Sequence, residues 1–378
     1  MINIKEVTVD GKQLIEIEDR LYSIKENPIG VREKFWIVRE SGNIFIEPEI
    51  STKLLFKYNR NDVSCEDCGE IIAAEIARKI GVNSVEYYGA KFVKNNKEYR
   101  GVLCGSYKKS EKELEYSGFH LQTMMTSFDF DSETGVANKP INTVYGFLAD
   151  MNQVLRNIRH KDLFMQRMKF DFLKQALFDF LLGQTDRHWN NSTILEYVDN
   201  NFHIVRKSAC YDNGCIASLK RKREALVTIA SQIKKDYVNS PRIKELMENY
   251  CPMFGIKTST VVVDTKYYEK YGSAEKVRVS DAKNNKKIFV DELTNEILND
   301  PEMALFYSNI KKELHYNEKT KLVDLDPIFA QLLLKGEDLG KEVIEIVRAV
   351  FNYQLNVIEQ ELQRKIKLER DYFEKEGY

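Results

Sequence analysis

Two carboxylates and one amide stand near the middle of the chain at a spacing that suits phosphate chemistry. Asn191 follows Asp186 by five residues, and Asp212 comes one predicted hairpin later. Phosphoryl transfer from ATP needs a carboxylate that orients or deprotonates the attacking hydroxyl, and oxygen ligands that hold metal ions on the phosphates. We therefore predict that Asp186 is the catalytic residue and that Asn191 and Asp212 bind Mg²⁺.

The segment between Asn191 and Asp212 has the pattern of a β-hairpin. Residues 192–197 and 202–205 are rich in β-branched and aromatic side chains, and residues 199–201 form a turn sequence between them. A hairpin would bring Asn191 and Asp212 together at its open end, where both could face the same ion.

The surrounding elements indicate an α+β fold of the bilobal, protein-kinase-like type. Residues 1–105 predict a β-rich N-lobe with one helix over 67–80, which starts with a capping-box pattern and stops at Gly81. Residues 106–378 predict a mainly helical C-lobe that carries the catalytic and metal loops. From about residue 240 onward this lobe continues as an extension without an assigned role.

Further elements follow from composition and periodicity. The N-lobe strands are predicted over residues 35–38, 43–46, 52–58, 87–93 and 100–104. Beyond them we expect a mobile loop over 107–140, helices over 164–182 and 225–255, and strands over 260–263 and 287–290. A long last helix is predicted by an apolar stripe of Val343, Val347, Val350, Phe351, Leu355, Ile358, Leu362 and Ile366.

A lysine and a glutamate of the predicted N-lobe could complete an ATP site. Lys57 is the only charge in an apolar strand core and could reach the α- and β-phosphates, with Lys53 on the same strand face as the alternative. Glu70 shares a helix face with small apolar residues and could pair with that lysine. It is equally the N3 residue of the capping box, so both roles stay open.

Residues 27–34 are the segment most suited to cover the phosphates. The backbone N–H groups beside Gly30, or the cations Arg32 and Lys34, could contact phosphate oxygens.

The composition bears on partners and location. The 57 Lys and Arg residues nearly balance 58 Asp and Glu residues, which gives a net charge of −1 and no reason to expect direct nucleic-acid binding. No apolar run approaches the roughly 18 residues of a membrane span, and the start lacks a signal-peptide pattern. The six cysteines are dilute and fit reduced thiols, although Cys65 and Cys68 have zinc-ligand spacing. We expect a cytoplasmic protein and leave a secreted or translocated effector open.

The two central loops resemble those of a known family. Residues 183–191 and 210–214 look like the catalytic and metal loops of the HipA-like serine/threonine kinases, closest to the compact CtkA-like branch. Residues 27–34 resemble the family's phosphate loop, and residues 69–82 its N-lobe helix. The Asp-Arg-His-x-x-Asn core is also similar to that of phosphatidylinositol 3- and 4-kinases. The resemblance covers roughly residues 25–225.

This resemblance implies a role for each matching residue. Asp186 corresponds to the catalytic aspartate, Asn191 and Asp212 to the metal ligands, and Lys57 with Glu70 to the phosphate-binding pair. The hinge that meets adenine corresponds to Leu103, Cys104 and Gly105. The family's phosphate loop carries a regulatory serine, whereas this chain has Asn27 there, so the resemblance implies that this autophosphorylation switch is missing.

The combined prediction is an ATP- and Mg²⁺-dependent kinase that phosphorylates a Ser or Thr hydroxyl of a protein. Two alternatives are a lipid or small-molecule kinase, and a nucleotide-binding toxin–antitoxin regulatory module without transfer activity. The resemblance also brings an antitoxin-like partner into consideration.

Overall fold

A computed structural model gives the arrangement of most of the chain. It describes residues 1–9, 12–17, 20–25, 34–39, 53–59, 64–110, 112–117, 160–184, 187, 191–199, 203–233 and 279–376, with isolated positions between 144 and 155. The predicted strands at 43–46 and 260–263 and the part of the predicted helices beyond residue 233 lie outside these residues.

Seven strands of the N-terminal region close into a barrel. In order around the barrel they run β1-β2-β3-β4-β5-β7-β6, and every neighbouring pair is antiparallel except β1 and β6. Their bounds are Ile2–Val9 (β1), Lys12–Ile17 (β2), Arg20–Lys25 (β3), Lys34–Arg39 (β4), Lys53–Tyr58 (β5), Tyr87–Lys94 (β6) and Lys97–Gly105 (β7).

Alternation along each strand fills the barrel. In β4, Phe35 and Ile37 point inward while Trp36 lies on the outer face, as the period of two requires. Phe35, Phe56 and Phe92 meet with ring centroids 5.2–5.7 Å apart. Aromatic packing of this kind gives the barrel a core, and it fixes which residues of β5 face outward.

Helix α1, Glu66–Ile80, lies where the sequence predicted a helix, but its start is built differently. The N-cap residue is Cys65, and it makes no side-chain cap hydrogen bond. Instead Asn59 accepts a hydrogen bond from the Asp67 N–H at 3.0 Å through its side-chain oxygen. The predicted capping box is therefore wrong, because a residue from the preceding loop satisfies the free N–H group. The Glu70 side chain takes no part in this cap and makes another contact, described below.

A three-stranded sheet follows later in the chain, in the order β10-β9-β8. The strands β9 (Thr193–Val198) and β10 (His203–Lys207) form the predicted hairpin. Strand β8, Leu114–Ser117, falls inside the segment that we expected to be a mobile loop. Pairing with β9 overrides the polar local sequence, so the loop prediction is wrong for these residues. Residues 118–140 lie outside the described part.

The remaining described elements are helical. They are α2 (Lys161–Leu181), α3 (Arg223–Gln232), α4 (Val279–Asn299), α5 (Pro301–Glu313), α6 (Asp326–Leu334) and α7 (Lys341–Glu376). The strand predicted over residues 287–290 is wrong, because this stretch belongs to α4, where Phe289 packs against Phe180. The last helix is confirmed, and its apolar stripe is buried except for Ile366.

The chain is thus mixed α+β, strand-rich toward the N-terminus and helical toward the C-terminus. It divides into two compact units. The first comprises residues 1–110, 209–232 and 325–347, and the second comprises residues 111–208, 233–324 and 348–378. Among the described helices, none combines the length and the apolar character needed to cross a membrane.

Candidate active site

The outer face of the barrel carries Lys57 on strand β5. Phe56 and the other inward residues of β5 occupy the barrel core, so alternation places Lys57 and Leu55 on the opposite face. Lys57 is nevertheless buried, because helix α1 and the chain around Asp212 lie close to its ammonium group. A buried lysine needs anionic partners to keep its charge.

Glu70 of α1 supplies the first of these partners. The Lys57 Nζ atom donates to Glu70 Oε1 at 3.2 Å, and the Glu70 side chain is completely buried. Burial by itself would lower the pKa of Lys57, but Glu70, followed by Tyr87 and Asp212, outweighs it and raises this pKa well above its ordinary value. Lys57 is therefore an ammonium ion at any physiological pH.

The same glutamate also holds the loop that contains Asp212. Its second oxygen, Oε2, accepts a hydrogen bond from the backbone N–H of Asn213 at 2.6 Å. Gly69, the residue before Glu70 in α1, lies against Gly214. A Cβ at position 69 would come within 2.9 Å of the Gly214 carbonyl oxygen. Glycine at position 69 lets the loop approach, and Glu70 then joins this loop to Lys57.

Asp212 adopts an unusual backbone conformation at this junction. Its φ of 58° lies in the left-handed region, which Asp tolerates better than most residues. Its backbone N–H donates to the hydroxyl of Tyr87 at 3.2 Å, and its Oδ1 lies 3.6 Å from Lys57 Nζ. The side chain is 40% exposed, so its carboxylate is available to a ligand although its backbone is fixed.

Lys34 lies directly opposite Lys57 in the register of β4 and β5. Residues that face each other across a strand pair point to the same side of the sheet, so the two ammonium groups arise from one face. Like charges in such positions disfavour each other unless anions lie nearby. This placement suits a polyanionic ligand such as a chain of phosphates.

An apolar row lies next to the two lysines on the same face. Trp36, Leu55 and Cys104 are register partners across β4, β5 and β7. Such a row could contact the flat face of a nucleotide base. In contrast, the Leu103 side chain belongs to the barrel core, so this hinge residue could offer a base only its backbone. Gly105 ends β7 opposite Leu54.

In the second unit, a buried ion pair anchors the segment that carries the predicted catalytic residues. Arg187 donates to Asp179 of α2 through Nε at 2.8 Å and Nη2 at 3.1 Å. Its Nη1 also donates to the carbonyl oxygen of Asn191 at 3.3 Å. Gly183, with φ of 61°, ends α2 and lets the chain turn back. Asn191 itself is buried just before β9.

Several predicted site residues lie outside the described part of the chain: Gly30, Arg32 and Asp186. Their roles stay predictions, as does the meeting of Asn191 with Asp212. The residues that the structure does bring together are Lys57, Glu70 and Asp212.

The carboxylate of Asp212 and the amide oxygen of Asn191 are each of the chemical kind that binds Mg²⁺. Among the described residues no group of three His, Cys, Asp or Glu side chains could hold a metal ion. Mg²⁺ does not require such a cage, since it keeps several waters and is bound through one or two carboxylates together with phosphates. The partly exposed carboxylate of Asp212 meets this requirement, and the amide oxygen of Asn191 is a suitable hard ligand.

Sequence reasoning missed two parts of this arrangement. Tyr87 holds the Asp212 backbone, but the two residues are 125 positions apart, so no local sequence pattern reveals this contact. The pair of Arg187 and Asp179 could have been found, because an aspartate on the apolar C-terminal half of α2 needs a cation, and the nearest arginine follows eight residues later.

Structural comparison shows which fold this is. A crystal structure of the Helicobacter pylori proinflammatory kinase CtkA matches with a TM-score of 0.57 at 14% sequence identity, over 92% of this chain and 97% of that chain. The chain has the fold of that kinase. The predicted resemblance to the compact CtkA-like branch is therefore confirmed at the level of the fold.

A second structure is less similar. HipA of Shewanella oneidensis MR-1, solved with HipB and operator DNA, matches with a TM-score of 0.41 at 14% identity, over 88% of this chain and 64% of that chain. A score this low carries no weight for fold or partners. No protein-family profile and no curated protein matches the sequence.

Proposed function

We propose that the protein is an ATP- and Mg²⁺-dependent kinase of the HipA-like type, which phosphorylates a Ser or Thr hydroxyl of a protein. One observation carries the proposal. In a fold shared with a kinase, the buried Glu70 carboxylate joins Lys57 to the backbone beside Asp212. This arrangement holds one cation and one partly exposed carboxylate together, as the binding of a metal-complexed triphosphate requires.

In this mechanism the first unit prepares the phosphate site before ATP arrives. Lys57 binds α- and β-phosphate oxygens, and Glu70 keeps its ammonium group in place, which lowers the cost of orienting it. Lys34 adds positive charge on the same face. Asp212 and Asn191 would bind Mg²⁺, which neutralises charge on the β- and γ-phosphates when it is bound.

The acceptor side of the reaction rests on the family resemblance. Asp186 orients the attacking hydroxyl or accepts its proton. Arg187, next to it, is tied to α2 by Asp179, so the segment has a rigid attachment. A cytoplasmic location stays an expectation from the dilute cysteines of the sequence. An antitoxin-like partner stays a part of the proposal that the resemblance alone motivates.

The test incubates the purified protein with γ-labelled ATP, Mg²⁺ and a cell extract, and then separates proteins from lipids. We expect label on Ser or Thr of a protein. Asp186→Asn should keep ATP affinity and lower transfer by roughly a hundredfold or more. Label in the lipid fraction would instead make the protein a lipid kinase. Saturable ATP binding without any transfer would make it a non-catalytic module.

A further inference from the structure

The turn between α6 and α7, residues 335–340, contacts α1 at two points. We name it the connector. Lys335 Nζ lies 3.2 Å from Glu75 Oε2, and the carbonyl oxygen of Asp338 accepts a hydrogen bond from Cys68 Sγ at 3.8 Å. Cys68 and Glu75 lie on either side of Glu70 in the helix. The connector therefore holds α1 on both sides of the glutamate that binds Lys57.

Arg100 of β7 ties the connector, α1 and the barrel together. Its Nη1 donates to Asp338 Oδ2 at 2.8 Å, and its Nη2 donates to Asp67 Oδ2 at 3.2 Å. Burial alone would lower the pKa of Arg100, but Asp67, Cys68 and Asp338 outweigh it and raise this pKa. A single guanidinium group thus fixes the first turn of α1 relative to the sheet.

Glu337 makes the most buried of the connector's polar contacts. Both of its carboxylate oxygens accept from the backbone N–H of Gly89, at 3.2 and 3.1 Å, and burial raises the pKa of this carboxyl group. A Cβ at position 89 would overlap Oε2 of Glu337, so the carboxylate would have to shift if this residue were not glycine. Gly89 pairs across the strands with Val102, which pairs with Lys57.

We propose that the connector is a positioning device that sets where α1 lies against the barrel, and that Glu337 and Asp338 thereby position Glu70 for its contact with Lys57. The N-cap residue of α1 makes no side-chain cap hydrogen bond, and the first turn of the helix is instead held by Asn59, Arg100 and the connector. A displacement of about 1 Å would break both hydrogen bonds of Glu70. The catalytic consequence rests on the kinase function proposed above.

This proposal gives part of the C-terminal region a role that its sequence does not reveal. The connector binds a backbone N–H and side chains that belong to strands and helices more than 230 residues earlier, as the separations of 248 for Glu337 and Gly89 and 238 for Asp338 and Arg100 show. The same contacts would be present if the connector only stabilised the fold. The two roles differ in whether loss of Glu337 acts through Glu70.

The experiment uses the full chain, three single variants at positions 337 and 300, and Glu337→Ala in a Glu70→Gln background compared with Glu70→Gln alone. Glu337→Ala removes the acceptor for Gly89, whereas Glu337→Gln keeps an oxygen that can accept the same hydrogen bond. Asp300→Asn is the control, because it removes the negative charge at the N-terminus of α5 in the second unit, where Asp300 Oδ2 lies 3.2 Å from Lys169 Nζ. For each protein we would measure kcat and KM for ATP in the labelled transfer assay, hydrogen exchange of the α1 amides, and the melting temperature.

We expect Glu337→Ala to lower kcat roughly tenfold and to speed hydrogen exchange of the α1 amides. Glu337→Gln should keep kcat within about twofold of the parent. In a Glu70→Gln background the same Glu337→Ala change should cost less than about twofold, because its effect passes through Glu70. Asp300→Asn should lower the melting temperature without either effect.

The proposal is overturned if Glu337→Ala behaves like Asp300→Asn, or if its loss of kcat is undiminished in the Glu70→Gln background. If Glu337→Ala does not fold, Asp338→Asn takes its place, since the Asp338 side chain is 57% exposed. If the parent transfers no phosphate at all, the proposed kinase function fails. The exchange of the α1 amides then decides the connector proposal by itself, with faster exchange supporting it and unchanged exchange refuting it.

Discussion

Each unit of the molecule contains a buried ion pair, and the two pairs are built differently. In the second unit Arg187 and Asp179 are both almost fully buried and meet through two parallel hydrogen bonds. In the first unit Lys57 contacts Glu70, Tyr87 and Asp212, and of these Asp212 is 40% exposed.

The difference separates a structural pair from one that is prepared for a ligand. The fork of Arg187 matches a single carboxylate and also binds the backbone of Asn191, so this pair holds a loop in place. Lys57 is a compact charge shared among several partners, one of which has an accessible carboxylate. We infer that breaking the pair of Arg187 and Asp179 mainly lowers stability, whereas altering the exposed Asp212 beside Lys57 mainly lowers activity.

The largest expected effect is that of Asp179→Asn. It leaves the Arg187 guanidinium buried without its anion, which typically destabilises a protein by about 3–5 kcal/mol. Denaturant unfolding would measure the loss. Asp171→Asn, the same change on a less buried position of α2, is the control and should have little effect. A stability close to that of the parent would show that the Arg187 pair does not anchor its loop.

Asp212→Asn makes the same chemical change as Asp179→Asn, but we expect it to lower activity rather than stability. Asn tolerates the left-handed backbone of position 212, so we expect the stability to change by no more than about 0.5 kcal/mol. Transfer should fall by roughly a hundred- to a thousandfold, because the carboxylate that would bind Mg²⁺ is lost. Melting curves and transfer assays on the variant and the parent measure these two effects. Transfer at the parent's rate would remove Asp212 from the metal site.

A smaller effect is expected from Lys34→Met. Lys34 faces the same side of the sheet as Lys57, so its loss should raise Kd for Mg²⁺·ATP by about tenfold while leaving the stability within about 0.5 kcal/mol. Lys97→Met is the control, since Lys97 lies over Tyr99 at the far end of β7. Equal Kd values for both variants would show that phosphates do not bind on this face.

The same comparison explains how much the sequence could predict. Residues 183–191, the hairpin after them and helix α2 lie close together in the chain, so their types and spacing are readable as a motif. In contrast, the contacts of Glu70 with Lys57 and Asn213 span 13 and 143 residues. Their residue types suggested a pairing, but only the register of β5 and the placement of α1 bring the atoms together.

The wrong predictions have physical causes of the same kind. The capping-box pattern at α1 fits the local sequence, yet Asn59 provides the cap from outside the helix. Residues 288–290 are β-branched or aromatic, but packing of Phe289 on Phe180 makes them part of a helix. Strand β8 forms on a polar sequence because β9 offers it a partner. Tertiary contacts decide in each case, and one sequence alone does not contain them.

The smallest expected effect concerns Glu75, whose partners differ from those of both buried pairs because they are about half exposed. Burial alone would raise the pKa of Glu75, but hydrogen bonds from Arg78 and Lys335 outweigh it, so this pKa is lowered. A carboxyl group whose pKa is lowered in the folded state contributes stability at pH values above its unfolded-state pKa. This contribution is lost as the pH falls through the folded-state pKa. Arg78→Met removes one of the two cations.

Because solvent screens Arg78, the variant should lose only a few tenths of a kcal/mol, roughly, at neutral pH. The gap to the parent should close as the pH falls below about 4, where the carboxylate becomes protonated in both proteins. Lys341→Met, an exposed lysine at the start of α7, should show no such dependence. Melting temperatures of the three proteins across this pH range provide the measurement. A gap that stays constant with pH would mean that Arg78 acts through packing of its side chain rather than through the charge of Glu75.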